Sequence, residues 1–283
     1  MTTLRRLGPA GAETPAIELD GRVLDLRPLT TDIDGAFLAG GGVDRARSAA
    51  RAGELPELEG AAGLRVGAPI ARPPAIVCIG QNYAAHAAES GNPPPQMPIV
   101  FLKHPSSMVG PNDPIALPRA SSKVDWEVEL GIVIGSRSSY LESDEAAIAA
   151  VAGYVTSHDV SEREWQLNHS SGQWALGKSA PTFAPVGPWL VPADEVDPGG
   201  LRLWSTVNGE PRQDSNTSDL IFPVATVVRH LSQYMILEPG DLINTGTPQG
   251  VALSGKYPFL AVGDVVEMGV EGLGQQRSEI VAS

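Results

Sequence analysis

The chain has 283 residues, and its 20 Lys and Arg against 33 Asp and Glu give a formal net charge of −13. A surface this acidic repels phosphate backbones and anionic lipid, which excludes general nucleic-acid or membrane-surface binding. A single cysteine excludes an internal disulfide and a cysteine-built zinc site, and 31 Gly and 25 Pro spread without a period disfavour a helical bundle.

In chain order, residues 17–26 alternate around Asp20-Gly21, which predicts a hairpin closed by a two-residue turn. Residues 43–55, rich in Ala and Arg, predict a short surface helix. Residues 67–74 are crowded with breakers and predict a linker between a small leading domain, 1–70, and a main domain, 71–283. From Ala75 the texture changes to short β-type runs punctuated by Gly and Pro. Strands are expected at 75–79, 99–102, 126–134, 151–159, 201–207, 241–244 and 265–270, with a second hairpin turn at Asn208-Gly209. Helices are expected at 83–90, 143–150 and 223–234. Many short strands and few helices predict an α+β chain that is mainly β: a barrel or rolled sheet with helices outside. Cys78, inside an apolar strand, is expected to be a buried core thiol. Residues 1–10 show no signal peptide and no run has the apolar length of a membrane helix, so a cytoplasmic protein is expected.

Chemistry concentrates in a few segments. In 80–91, Asn82 is placed to cap a helix that an Ala-rich run propagates and Gly91 stops. His86 and Glu89, three apart, share a face. A carboxylate on one imidazole nitrogen raises the basicity of the other, as a general base acting on water requires. A solvated surface pair is the plain alternative. The Pro-rich stretch 91–98 is stiff, either a cover or a spacer.

Strand 126–134 puts Trp126, Val128, Leu130, Ile132 and Ile134 on one face and leaves Asp125, Glu127 and Glu129 on the other. Glu127 and Glu129 lie about 7 Å apart by strand rise and repel each other. A hard divalent cation would offset that repulsion; an exposed sheet face is the open alternative. Asp159, at the end of the next strand, adds a third carboxylate. Arg163 and Gln166 offer a guanidinium fork and an amide to a small oxo-acid, unless Arg163 pairs with Glu162 or Glu164 on the surface. Lys178 is a lone lysine in a nearly uncharged stretch, suited to an anionic substrate. The turn 244–250, with Thr247, presents amides and hydroxyls to a ligand carboxylate but lacks the lysine and spacing of a phosphate loop. Trp165, Trp174 and Trp189 are expected to pack in the core or a lid, and His104, His158, His169 and His230 to be structural.

These segments read Gly80-x-Asn82-Tyr83-x-x-His86-x-x-Glu89, Phe101-Leu102-Lys103 before Ser106-Ser107, and Asp125-Trp126-Glu127-Val128-Glu129-Leu130. Then come Asp159-x-Ser161-x-Arg163-x-x-Gln166, Gly177-Lys178-Ser179, Val207-Asn208-Gly209-Glu210, and Leu237-Glu238-Pro239-Gly240-Asp241 through Thr245-Gly246-Thr247-Pro248. In this order, over about 75–275, they resemble the fumarylacetoacetate hydrolase family in its bacterial catabolic branch; residues 1–70 match loosely. The resemblance implies the family's β-roll and one Mg²⁺ or Mn²⁺ per subunit on Glu127, Glu129 and Asp159. It implies His86 with Glu89 as a water-activating dyad. Lys178, catalytic in this scheme, with Arg163 and Gln166 would hold a small anionic oxo-acid and the developing enolate, and Thr247 of the turn is the further substrate-binding candidate. The implied protein is a homodimer that hydrolyses a carbon–carbon bond in an acylpyruvate or 2,4-diketo acid. Oxaloacetate-type decarboxylation and dienoate isomerisation or hydration are the alternatives within the family, and a non-catalytic metal-stabilised binding module is the alternative of another class. Pro181 stands where the family commonly has Asp, so contacts made there by other members are not expected here.

Overall fold

The computed structural model describes residues 1–89, 91 and 93–283. Strands β1 (Thr3–Leu7), β2 (Thr14–Leu19) and β3 (Arg22–Asp25) form an antiparallel sheet. The expected hairpin joins β2 to β3, with Asp20 at φ 52° and Gly21 at φ 78°. Two left-handed residues match the right-handed twist of the strands they join. Helices α1 (Gly35–Ala39) and α2 (Gly42–Ala52) follow, so the helix expected at 43–55 stops at the Gly53 cap. The stretch 67–74, expected to be a linker, is packed: Ala68 and Ile70 are buried in the same core as Leu4, Ile17 and Leu24.

The rest of the chain gives β4 (Ile76–Gly80), α3 (Ala84–Glu89), β5 (Ile99–Lys103), β6 (Met108–Val109), β7 (Ile115–Leu117), β8 (Val124–Asp125) and β9 (Val128–Ile134). Next are α4 (Asp144–Ala149), β10 (Val151–His158), β11 (Ser161–Glu162), α5 (Ala175–Lys178), β12 (Ala184–Pro185) and β13 (Val191–Pro192). Last come β14 (Arg202–Val207), β15 (Glu210–Asn216), α6 (Val224–Ser232), β16 (Leu242–Asn244), β17 (Val265–Val270) and β18 (Gly274–Ala282). All seven expected strands and three expected helices are present within a residue or two; the strand expected at 126–134 begins at Val128, after the short β8. Ser90, at the end of one expected helix, lies outside the described residues.

A six-stranded mixed sheet, ordered β13-β10-β9-β16-β4-β5, is the middle layer. One face packs Leu130, Ile132, Val77 and Ile79 against Leu203, Val266, Met268 and Ile280 of a five-stranded sheet, β15-β14-β17-β18-β7. The other face packs Val133, Val155, Cys78 and Leu242 against the N-terminal residues. Cys78 is therefore the buried core thiol expected. Burial on both faces explains why β9 is buried at all seven residues.

This topology fixes where side chains converge. β4 runs parallel to β16, β16 antiparallel to β9, and β9 antiparallel to β10. The carboxyl ends of β4, β10 and β16 thus meet the amino end of β9. Register does the rest: Ser157 lies opposite Glu129, and the Asp159 N–H donates to the Glu127 carbonyl at 3.0 Å. Asn82 is not the cap of α3. Its amide donates to Thr245 O (2.8 Å) and Phe222 O (3.1 Å) and accepts from Phe222 N (2.8 Å), stapling the β4 end to the β16 end. Asp219 instead accepts the Ala85 N–H of α3 at 3.0 Å.

Candidate active site

Glu127, Glu129 and Asp159 are all buried, and each can offer one oxygen so that the three lie within 4.8 Å of one another. The exposed-face alternative for Glu127 and Glu129 is thereby removed. Three buried cations are woven through this cluster. Lys178 Nζ reaches Glu127 Oε2 at 2.7 Å and Asp159 Oδ2 at 2.8 Å. Lys103 Nζ reaches Asp159 Oδ1 at 2.6 Å. Arg163 spans Asp125 and Glu127, both at 2.7 Å, and donates through Nη1 to Gln166 Oε1 at 2.9 Å. Arg163 therefore does not pair with Glu162 or Glu164; Glu164 pairs with Lys123.

Local structure delivers these groups. Gln166 sits in a π-helical turn, Trp165–His169, an element that recurs at functional sites. Gly177 lets α5 lie directly on that turn: a Cβ there would stand 2.5 Å from Gln166 N and Glu162 O. Close approach turns the next residue, Lys178, into the buried carboxylates.

Four buried carboxylates (Asp125, Glu127, Glu129 and Asp159) face three buried cations, leaving one negative charge in excess. The excess falls on Glu129. Lys178 and Arg163 overcome the effect of burial and hold Glu127 below the usual carboxylate range. Glu129 pairs with no cation among the described residues, and accepts the Gly246 N–H at 2.7 Å. Burial, with Asp159 and Glu127 alongside, pushes its carboxyl well above the usual range. A carboxylate held between two others without a cation of its own is what an oxygen-liganded divalent ion satisfies. The residues present fit such an ion.

With Asp159 lying behind them, Glu127 and Glu129, together with Arg163 and Lys178, form the floor of a cavity of about 350 Å³. His86 and Glu89 stand at its side, Nδ1 to Oε2 3.6 Å. Glu89 is held by the Gly250 N–H (3.1 Å) and by Lys256 (3.3 Å). Burial lowers the His86 pKa, Arg163 adding to it while Glu127 and Glu89 oppose it. Gln166, Lys178 and Thr247 also line the cavity. The Thr247 hydroxyl, however, is committed: it donates to Val128 O at 2.9 Å and accepts from Gln213 at 2.8 Å. Pro181 is exposed and lines no part of the cavity.

Several contributors had no assigned role in the sequence reading. Lys103 clamps Asp159. Asp125 accepts from Ala252 N (2.8 Å) and Leu253 N (2.9 Å) as well as from Arg163, tying the cavity wall to its floor. Gln81, Phe101, Val251, Leu253 and Ser254 complete the walls, with Trp174 tilted against Phe101 at 5.2 Å. His158, expected to be structural, is buried beside the cluster, and burial together with Lys103 pulls its pKa down to about 3.

A sequence model of the fumarylacetoacetate hydrolase C-terminal domain matches residues 75–281. The chain belongs to the fumarylacetoacetate hydrolase family. A Burkholderia lata protein bearing only a provisional name of hydrolase is 48% identical over 278 residues, 96% of each chain. The structure of a 2-hydroxyhepta-2,4-diene-1,7-dioate isomerase from Mycobacterium marinum superposes at a TM-score of 0.75, with 34% identity, covering 100% of this chain and 99% of the other. That of a maleylpyruvate hydrolase from Sphingobium sp. SYK-6, in complex with manganese (II) and pyruvate, gives a TM-score of 0.81 at 27% identity, covering 99% of each. The fumarylacetoacetate hydrolase fold is thus shared along the whole chain, and this member is an enzyme of that family. Among the described residues no helix is long and apolar enough to cross a membrane.

Proposed function

We propose that this protein is a divalent-metal hydrolase that cleaves a carbon–carbon bond in an acylpyruvate or related 2,4-diketo acid, giving pyruvate or a relative plus a carboxylic acid. The observation that carries this reading is the opening of the acidic cluster and the His86–Glu89 pair onto one cavity. Glu127, Glu129 and Asp159 would hold Mg²⁺ or Mn²⁺, which supplies Lewis-acid polarisation of the substrate oxo group. One divalent charge against one excess negative charge makes the floor net positive, which favours a substrate carboxylate.

The chain's own groups then divide the work. Glu89 faces His86 Nδ1, so Nε2 is the nitrogen that takes the proton from water. Hydroxide adds to the distal carbonyl carbon. The bond from that carbon to the pyruvate methylene breaks, its electron pair passes into an enolate, and a proton returns to the methylene carbon. Lys178 spends two of its three N–H donors on Glu127 and Asp159, leaving one for the enolate oxygen. Arg163 bonds Gln166 Oε1, so the Gln166 NH₂ is the end presented to substrate. Phe101 and Trp174 keep bulk water off the reacting atoms.

Assaying acylpyruvates and oxaloacetate with Mg²⁺ or Mn²⁺ tests this. Acylpyruvate cleavage is expected, falling about 10²- to 10⁴-fold in His86→Ala while calorimetric metal affinity is unchanged. Turnover of oxaloacetate alone, indifferent to His86→Ala, would transfer the reading to a decarboxylase, which needs no attacking water. The reading includes a homodimer: edge strand β5 exposes Val100 and Leu102, and unpaired edges need covering. A monomer mass by light scattering at micromolar concentration would refute that part.

A further inference from the structure

The lysine and arginine of the cavity lie at one end only. Its floor holds Glu127 and Glu129 with Arg163 and Lys178, and both cations are committed to buried carboxylates. Its mouth is marked by Leu167 and Leu253, 45% and 42% exposed. Between them the wall is largely Ile79, Phe101, Trp174 and Val251, with the Gln81 amide and Ser254 hydroxyl as neutral polar groups and the His86–Glu89 pair along one side. No Lys or Arg other than the two floor cations lines the cavity among the described residues. The segment from 90 to 102 brings none either, since it contains no Lys, Arg or His. The charge that does reach the wall is negative: Glu89, whose nearest cation, Lys256, is already paired with it.

We propose that the far end of the substrate, the acyl group released on cleavage, is uncharged: the site takes monoanionic oxo-acids with an aliphatic or hydroxylated tail and rejects dicarboxylates of equal length. A second carboxylate would be taken out of water against Leu167, Trp174 and Leu253, beside Glu89, with no donor fork to receive it. An alkyl tail gains by burial on the same surface, and a hydroxylated tail finds Gln81 and Ser254. This separates the chain from the two structural neighbours above, since maleylpyruvate and a 1,7-dioate carry a carboxylate at each end. The inference rests on the reading of the cavity as an oxo-acid site but not on the bond cleaved there.

Binding separates the two. 2-Oxohexanoate and 2-oxoadipate have the same chain length, differ by one terminal carboxylate, and lack the 4-oxo group that cleavage requires. Calorimetry on the manganese-loaded protein is expected to show 2-oxohexanoate binding about tenfold tighter or more, roughly 1.4 kcal/mol. In Leu253→Arg, which places a guanidinium at a partly exposed wall position, the preference is expected to reverse. Equal or tighter binding of 2-oxoadipate by the wild type overturns the proposal, as does binding of neither compound. Discrimination as stated, in a protein that cleaves no acylpyruvate, would leave the uncharged tail standing and remove only the hydrolytic reading. Comparing tails that differ only by hydroxyl groups then separates alkyl from sugar-derived substrates.

Discussion

At the floor of the cavity charge is held by strands. Glu127, Glu129 and Asp159 leave adjacent strand ends, and Lys103, Lys178 and Arg163 cross-link them at 2.6–2.8 Å with almost no solvent access. At the rim, His86 and Glu89 stand on a six-residue helix, and Glu89 is steadied by one backbone N–H and one exposed lysine. The floor is a low-dielectric lattice in which removing one charge leaves others unpaired; at the rim the His86 and Glu89 side chains keep 12% and 9% of their surface exposed, and the lysine that reaches Glu89 stands in solvent, where its charge is screened. Such a division suits an enzyme that must hold a cation in one geometry while admitting water and substrate from the other side. It also sets the order in which substitutions are felt.

Lys178→Met is expected to have the largest effect on stability. It strips Glu127 and Asp159 of a shared buried partner, a change worth about 3–5 kcal/mol, or roughly 10 °C in melting temperature for a chain of this size. Because a divalent ion would replace the lost charge, added Mn²⁺ is expected to raise the melting temperature of the variant more than that of the wild type. A chelated variant that melts within 2 °C of the wild type would show that the floor is not the coupled lattice described.

His158, 1% exposed beside the acidic cluster, tests the dryness of the floor. Burial and Lys103, against the pull of Glu127, hold its pKa at about 3, below the unfolded value of about 6.5. The folded state therefore binds fewer protons than the unfolded one. The stability gained by keeping the ring neutral is complete above pH 6.5 and is lost progressively as pH falls toward 3, at roughly 1.4 kcal/mol per pH unit. Urea unfolding of chelated protein between pH 6 and 5 is expected to show His158→Gln losing less stability than the wild type by about that amount. Parallel slopes would mean the ring is not buried neutral.

What could be read from the sequence follows the reach of each interaction. Glu127 and Glu129, at the amino end of β9, and Asp159 after β10 were legible because a strand repeats every two residues and two carboxylates on one face repel each other. The partners of Arg163 were not: Asp125 meets it only because β8 pairs with β11, Asp125 opposite Ser161. Lys103 shares one face of β5 with Phe101, and its partner, Asp159, lies 56 positions away. Asn82 looked like a cap because Asn before an Ala-rich run usually is one; the fold spends its amide on Thr245 and Phe222. In 67–74 the density of Gly and Pro reports backbone restriction, not exposure, and Ile70 is buried all the same. The wall from Val251 to Ser254 has no period at all, being a 3₁₀ turn that Asp125 fixes from across the chain.

Lys256→Met is the smallest of these changes and the most specific to the rim. The Lys256 side chain is 66% exposed and its ammonium lies 3.3 Å from Glu89. An exposed pair of this kind contributes little to stability, so the melting temperature is expected to hold. The consequence falls on His86. Lys256 partly neutralises Glu89, and Glu89 favours the charged imidazole. Removing the lysine leaves Glu89 more negative toward the ring, so the His86 pKa is expected to rise slightly at low ionic strength, as one charge acting through water over several ångströms requires. Half-molar salt is expected to erase most of the difference, because the Debye length then falls to a few ångströms. NMR titration of the His86 imidazole reads this directly, without substrate. A large rise that persists in salt would mean the rim is as dry as the floor, and the contrast between the two would fail.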